Sequence, residues 1–279
     1  MKVRDVFFMS DTIDQRYLLN KQYHSAVNLD ARIRLHERFS TNRTDWQRWV
    51  FEQFDIPDGS RVLELGTGSG QLWVHNLDRI PESWQITLSD FSEGMLQDAR
   101  KNLGEKAERF QFQVIDIQAI PFPNDTFDDV IANHMLYHVP DRQRAFAEIQ
   151  RVLRPRGCFY AATNGEAHLR EIEHFSTRAG IAAGGIMGAQ ARSVFNLQNG
   201  REQMAPWFSQ IETRLFEGNL AVSEVEPLVA FILSGRAPES VSEEQLRSLR
   251  ALLTEELNAR GIIHIAKETG LFIASDVQH

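Results

Sequence analysis

Cysteine is almost missing from this chain. Cys158 is the only one in 279 residues, so no intrachain disulfide can form, and the nine scattered histidines offer no zinc-ligand spacing. Such a composition fits a reducing, cytoplasmic setting. Long apolar runs are missing too. Nothing approaches the roughly 18 to 20 residues a membrane span needs, and the opening segment, with Lys2, Arg4 and Asp5, does not read as a signal peptide. Positive charge is not in excess: the formal net charge is −8, whereas a general nucleic-acid binder usually presents a basic face. One stretch departs from this. Arg32, Arg34, Arg38, Arg43 and Arg48 make residues 31–50 basic, which reads as a solvated helix face or as a small encouragement for RNA. There is no internal repeat and no low-complexity tail. With 42% hydrophobic and 24% charged residues, a packed globular fold is expected rather than disorder.

What is present alternates in a regular way. Residues 11–54 read as helical, with apolar positions at Ile33, Phe39, Trp46, Trp49, Val50 and Phe54 and with Thr44 or Asp45 as a cap. Pro57-Asp58-Gly59 is a turn. Strand-like runs follow at Arg61–Leu65, Trp84–Ser89, Phe110–Ile115, Phe127–Ala132 and Cys158–Ala162. The clearest helix between them spans Asp141–Leu153, capped by Asp141 and stopped by Pro155-Arg156-Gly157. Strands alternating with helices predict an α/β fold with a doubly wound, mostly parallel sheet. After residue 163 the rhythm changes. Residues 165–198 read as helical around the small-residue run 179–188, strand-like segments return at 211–222 and 262–275, and 225–260 reads as helical.

The strongest local feature is Val62-Leu63-Glu64-Leu65-Gly66-Thr67-Gly68-Ser69-Gly70, an apolar strand running into a turn with three glycines and then into a helix. Glycine suits a turn where a ligand approaches the backbone and φ turns positive. A dinucleotide fingerprint needs glycine at position 71, where this chain has Gln71, so a nicotinamide cofactor is disfavoured. Two acids follow at strand ends. Asp90 closes the second strand, where a carboxylate can accept hydrogen bonds from ribose hydroxyls. Asp116-Ile117 closes the third, where an acid and an apolar side chain can hold an adenine. Either aspartate alone could be a cap or a turn residue. Together after the glycine turn they mark the carboxyl rim, where open α/β sheets bind ligands.

These pieces, with Asp90-Phe91-Ser92, Asp116-Ile117-Gln118-Ala119-Ile120-Pro121-Phe122, the run Phe127 to His138 and Leu153-Arg154-Pro155-Arg156-Gly157, occur in the order seen in class I methyltransferases. The chain resembles the small-molecule type related to ubiquinone-biosynthesis methyltransferases, over residues 61 to about 163. Arg156 departs from the glycine more usual there. The resemblance implies a seven-stranded Rossmann-like sheet and S-adenosyl-L-methionine as methyl donor, with S-adenosyl-L-homocysteine as product. It implies that Gly66, Thr67, Gly68 and the neighbouring Gly70 line the methionine part, with Glu64 under its ammonium. Asp90 would sit on the ribose, Asp116 and Ile117 on the adenine, Phe91 and Met95 against the adenosyl group, and Asn133 facing the methyl donor. A helical cap over 1–57, a cofactor-binding core over 58–163, a helical acceptor-site insertion or lid over 164–200, and a C-terminal completion of the sheet over 201–279 with inserted helices 225–260 are expected.

Methyl transfer needs orientation first, and a base only where the acceptor must lose a proton. His134 and His138, past the fourth strand, are the candidate bases, since an unperturbed imidazole titrates near 6.5; packing at a loop end is the alternative. No Asn/Asp-Pro-Pro-Tyr follows that strand, which removes support for methylation of amide or exocyclic nitrogens. The leader is expected to close over the donor through Tyr23 or Tyr17. His168, His174, Phe175 and Phe195 are expected to line the acceptor pocket, and 179–188 serves either as a lid hinge or as a tight helix crossing. The expected partner is a small-molecule acceptor, without nucleic acid, metal or membrane, and a homodimer stays open. Methylation of RNA or protein, and non-catalytic binding of the same cofactor, are the alternatives.

Overall fold

The protein is described by a computed structural model covering residues 34–182, 193–234, 236 and 240–277. Its centre is a seven-stranded sheet. The strands are β1 (Arg61–Leu65), β2 (Gln85–Asp90), β3 (Phe110–Val114), β4 (Phe127–Asn133), β5 (Leu153–Asn164), β6 (Phe208–Leu215) and β9 (Thr269–Val277). They lie in the order β3-β2-β1-β4-β5-β9-β6. Pairings from β3 through β5 are parallel, and β9 runs antiparallel to both β5 and β6. The order reverses beside β1, so the carboxyl ends of β1 and β4 diverge there and open a crevice.

Alternation along the strands explains the two faces. Leu63, Leu65, Val130, Ala132, Phe159, Ala161, Phe272 and Ala274 point to one side and pack with Ala145, Phe146 and Ile149 of α4 (Arg142–Val152). Val62, Ile86, Leu88, Ile131, Tyr160, Ala162 and Leu271 point to the other. That second face is covered by Val50 of α1 (Trp46–Glu52), Trp73 of α2 (Gln71–Val74) and Leu103 of α3 (Glu93–Leu103). Asp45, not Thr44, caps α1 by accepting from Arg48 N at 2.9 Å. Asp141 caps α4 in the same way through Arg144 N.

A third core lies apart from the sheet. Helical residues 34–39, α5 (Arg170–Arg178), α6 (Val225–Ser234) and α7 (Glu243–Arg260) pack around a two-stranded sheet of β7 (Asn219–Val222) and β8 (Ile263–Ala266). The leader is tied to this unit by a backbone bridge from Ser40 to Leu220. Two expected strands are thus divided. The 211–222 segment splits into β6 and β7 in different sheets, because Gly218 at φ 137° turns the chain between them. The 262–275 segment likewise splits into β8 and β9. The fifth strand begins earlier than expected, at Leu153: Pro155-Arg156-Gly157 stops the helix but forms a bulge within β5, where the register to β4 shifts between Phe127 and Asp129.

Candidate functional site

The crevice at the carboxyl rim is a chamber fronting about 810 Å³ of empty space. It is walled by Gly66, Gly68, Asp90, Phe91, Asp116, Ile117, His134 and His138 among others. The three glycines of the turn at its floor differ in what they require. All adopt positive φ, 72° at Gly66, 56° at Gly68 and 77° at Gly70. A side chain on Gly66 would strike Met135 at 2.9 Å, and one on Gly70 would press on Ala99 of α3 at 3.2 Å. At Gly68 nothing lies within 4 Å, so there the absent side chain leaves room on the chamber side.

Asp90 ends β2 with its carboxylate against this turn. It accepts from Gly68 N and Ser92 N, each at 2.9 Å, and burial still holds its pKa above the usual aspartate range. Ile115 N donates to the Asp90 carbonyl at 3.1 Å, which locks the ends of β2 and β3 together and brings Asp116 to the same wall. The Asp116 carboxylate accepts from Gln118 N at 2.9 Å and from Gln118 Nε2 at 3.0 Å. Ile117 beside it is buried, and Phe91 exposes 43% of its surface into the opening.

Glu64 lies behind the turn rather than on the chamber wall. Its Oε2 accepts from Thr67 Oγ1 at 2.5 Å and from Trp73 Nε1 at 2.6 Å. It is 2% exposed, and burial pushes its pKa up to about 7 despite those two donors. Thr67, Gly70 and Met95 are likewise not wall residues: Thr67 serves Glu64, Gly70 serves the contact with α3, and Met95 N donates to Ser92 Oγ at the start of that helix. Tyr23 and Tyr17 lie outside the described residues, as does most of the run 179–188.

Asn133, expected to face the donor, ends β4 behind the opposite wall and does not line the chamber; both its side-chain polar atoms are buried and have no partner among the described residues. His134 adopts φ 53°, anchored by His134 N donating to the Ala162 carbonyl at 2.9 Å. Its ring lies 5.3 Å from Trp46 of α1, and burial lowers its pKa to about 4. His138, in the short 3₁₀ turn Leu136–His138, has a buried Nδ1 with no partner and is also lowered to about 4 by burial. Both imidazoles are therefore neutral at pH 7, well below the ordinary histidine value near 6.5.

The residues expected to line an acceptor pocket sit elsewhere. His168 Nδ1 accepts from Glu268 N at 3.2 Å and is buried, Phe195 fills the sheet core against Phe146 and Phe272, Phe175 fills the third core, and His174 is exposed. Their aromatic character is spent on packing. Trp46, Trp49 and Phe216 instead form an aromatic cluster next to His134, with ring centroids 5.2 to 5.3 Å apart. Helical periodicity marks Trp46 and Trp49 as apolar positions but does not show that they meet His134 at the rim. Among the described residues no group of histidine, cysteine and carboxylates could hold a metal ion.

Sheet order, glycine turn and paired strand-end acids together define a class I, Rossmann-like methyltransferase fold, and residues 63–161 match the methyltransferase domain family. In sequence the likeness is to the ubiquinone-biosynthesis type. The chain is 30% identical over 158 residues to the ubiquinone/menaquinone biosynthesis C-methyltransferase UbiE of Desulfotalea psychrophila, covering 56% of this chain and 63% of that one. It is 31% identical over 161 residues to a malonyl-[acyl-carrier protein] O-methyltransferase of Geobacter sulfurreducens, covering 58% of each. Less than two thirds of either relative is therefore spanned. Among solved structures, phosphoethanolamine N-methyltransferase 2 of Haemonchus contortus in complex with S-adenosyl-L-methionine superimposes with a TM-score of 0.57 at 17% identity, over 94% of this chain and 60% of that one. At that identity the likeness concerns the fold.

Proposed function

We propose that this protein transfers the methyl group of S-adenosyl-L-methionine to a small-molecule acceptor by in-line displacement. The observation that carries the reading is one chamber at the carboxyl rim walled by Gly66, Gly68, Asp90, Phe91, Asp116, Ile117, His134 and His138. The residues suit the donor: an open cradle at Gly68, a strand-end carboxylate beside it, and a second strand-end carboxylate at Asp116 on the same chamber. In such a site Asp90 would hold the ribose hydroxyls, Asp116 and Ile117 the adenine, and Phe91 would cover the adenosyl group. Glu64, buried behind the turn, would meet a cation through Thr67 and the turn rather than by lining the chamber. When bound, S-adenosyl-L-methionine supplies an electrophilic methyl on a sulfonium: the acceptor atom bonds to that carbon as the carbon–sulfur bond breaks and its electron pair returns to sulfur.

What the chain itself supplies is orientation and a dry wall, which can account for several kcal/mol of barrier. Neutral His138, whose side chain lines the chamber, is the residue there that could take a proton from the acceptor. With a pKa of about 4 it is a weak base, so it suits an acceptor whose proton is already acidic. The relatives' names include methylation at carbon and at oxygen, and the attacking atom here is read as set by the acceptor side. A small molecule is favoured over RNA because the basic leader is locally countered: Arg38 pairs with Glu224 and Arg48 with Asp78. No described helix is long and apolar enough to cross a membrane, which is compatible with a cytoplasmic location. Incubation with methyl-labelled S-adenosyl-L-methionine and a panel of small acceptors tests the reading. Label should pass to an acceptor with matching release of S-adenosyl-L-homocysteine, and absence of both across the panel would count against catalysis.

A further inference from the structure

Another hollow lies toward the opposite end of the sheet from the chamber and fronts about 960 Å³ of empty space. Its charged lining residues are Asp55, Asp58, Asp128, Asp129, Arg154 and Arg156, and it shares no lining residue with the chamber. Asp129 stands near the start of β4, roughly 13 Å from Asn133 at the end of that strand, at about 3.3 Å per residue. The four acids are not equivalent. Asp128 is satisfied: it accepts from Arg61 N at 2.8 Å and from Arg154 Nη1 at 2.7 and 2.9 Å. Asp58 is exposed and accepts from Ser83 Oγ at 3.3 Å. Asp55 is fixed through its backbone, Asp55 N donating to Tyr160 Oη at 3.0 Å, while its carboxylate takes no hydrogen bond from a described residue. Asp129 is different again. It is 2% exposed, and its Oδ2 is buried without a partner among the described residues. Burial first, then the charges of Asp128 and Asp55, push its pKa up to about 7, and no nearby cation opposes them.

A buried carboxylate without a donor is costly, and an unsatisfied one in a folded protein calls for a counter-group. The nearby arginines do not supply it. Arg154 is committed to Asp128 and to the Asp125 carbonyl, and Arg156 is exposed at the bulge of β5. A divalent metal ion does not suit the place either. Calcium and magnesium want six or more oxygen ligands, Asp128 is already engaged, and no metal-holding group occurs among the described residues. An ammonium asks for less, since it has three hydrogens to donate and accepts nothing. We propose that Asp129 and Asp55 bind the ammonium group of a small organic amine in this hollow. The site is separate from the methyl-donor chamber and does not rest on that reading. An Asp129 that merely stayed protonated among its neighbours would give a ligand no reason to carry charge.

The test titrates 1,4-diaminobutane and uncharged 1,4-butanediol into the protein by calorimetry at constant ionic strength. The diamine should bind about tenfold or more tightly than the diol, the scale of one charge-assisted hydrogen bond. Its affinity should rise about tenfold from pH 6 to 8, because the ionised fraction of a carboxyl titrating near 7 rises by that factor. The other ionisable groups around Asp129 are Asp55, Asp58, Asp128, Arg154, Arg156, Cys158 and Tyr160, so Asp129→Asn separates its titration from theirs. That variant should lose both the charge preference and the pH dependence, and Asp55→Asn should weaken diamine binding at pH 8. Thermal midpoints identify a variant that fails to fold, in which case the other carries the comparison. No binding of the diamine, equal binding of diamine and diol, or unchanged diamine affinity in a folded variant would overturn the proposal. S-adenosyl-L-homocysteine is titrated separately: no binding there counts against the donor chamber and leaves the amine comparison intact.

Discussion

Glu64 is held where a carboxylate is least comfortable, fully enclosed between Thr67 and Trp73 and titrating near 7. A folded pKa above the unfolded value near 4.5 means that the native state binds more protons than the unfolded chain between those pH values. Its contribution to stability is fully present below about pH 4.5 and is lost as pH rises to about 7. Asp129, raised to about 7 by burial and by its neighbours Asp128 and Asp55, acts in the same direction over an overlapping window. Glu64→Gln should therefore flatten, without abolishing, the fall in urea midpoint between pH 5 and 7.5; an unchanged slope would show that Glu64 is ionised throughout. Gly68 offers a second residue-scale test. A Cβ there meets nothing within 4 Å, so Gly68→Ala carries only the strain of its positive φ, roughly 1 kcal/mol. It should fold with a small loss of thermal stability yet bind S-adenosyl-L-homocysteine at least tenfold more weakly. Equal affinity would mean that the cradle is not approached by the ligand.

Among the elements, β5 shows a local sequence in conflict with its geometry. Arg156 stands at φ 69° in the bulge, a conformation glycine tolerates and arginine does not favour. Its side chain is exposed, so little packing is lost on its removal. Arg156→Gly should raise stability by up to about 1 kcal/mol, the relief of left-handed strain less the added freedom of the unfolded chain, measured as a higher denaturant midpoint with unchanged slope. The first two parallel strands are the most readable in sequence because each is a short apolar run closed by glycine or acid, as in Val62–Leu65 before Gly66 and Ile86–Ser89 before Asp90. The division of 211–222 is not, since Ile211 and Leu220 are equally apolar yet belong to different cores. Only the turn at Gly218 and the pairing with β8 and β9 separate them.

Across the whole molecule there are three hydrophobic cores: the two faces of the sheet and the helical unit around β7 and β8. The proposed donor half of the site is legible because its residues lie at strand ends, where a doubly wound sheet must gather Gly66, Asp90, Asp116 and His134. The other half is not. Trp46 of α1 and Phe216, which follows β6, come from distant parts of the chain, and their contact beside His134 is a matter of tertiary packing rather than of local pattern. For the same reason His168, Phe175 and Phe195 mislead: their spacing places them after the fifth strand, but tertiary packing turns them inward. Asp90 and Asp116, by contrast, face one space from two locked strands, and each charge-assisted hydrogen bond to a ligand is worth about 1.5 to 3 kcal/mol. The direct measurement is calorimetric titration of S-adenosyl-L-homocysteine into wild type and into Asp90→Ala/Asp116→Ala. Wild type should show saturable one-to-one binding, and a double variant that remains folded should bind at least a hundredfold more weakly. Equal affinity in the two, or no heat of binding in wild type, would contradict the donor-site reading.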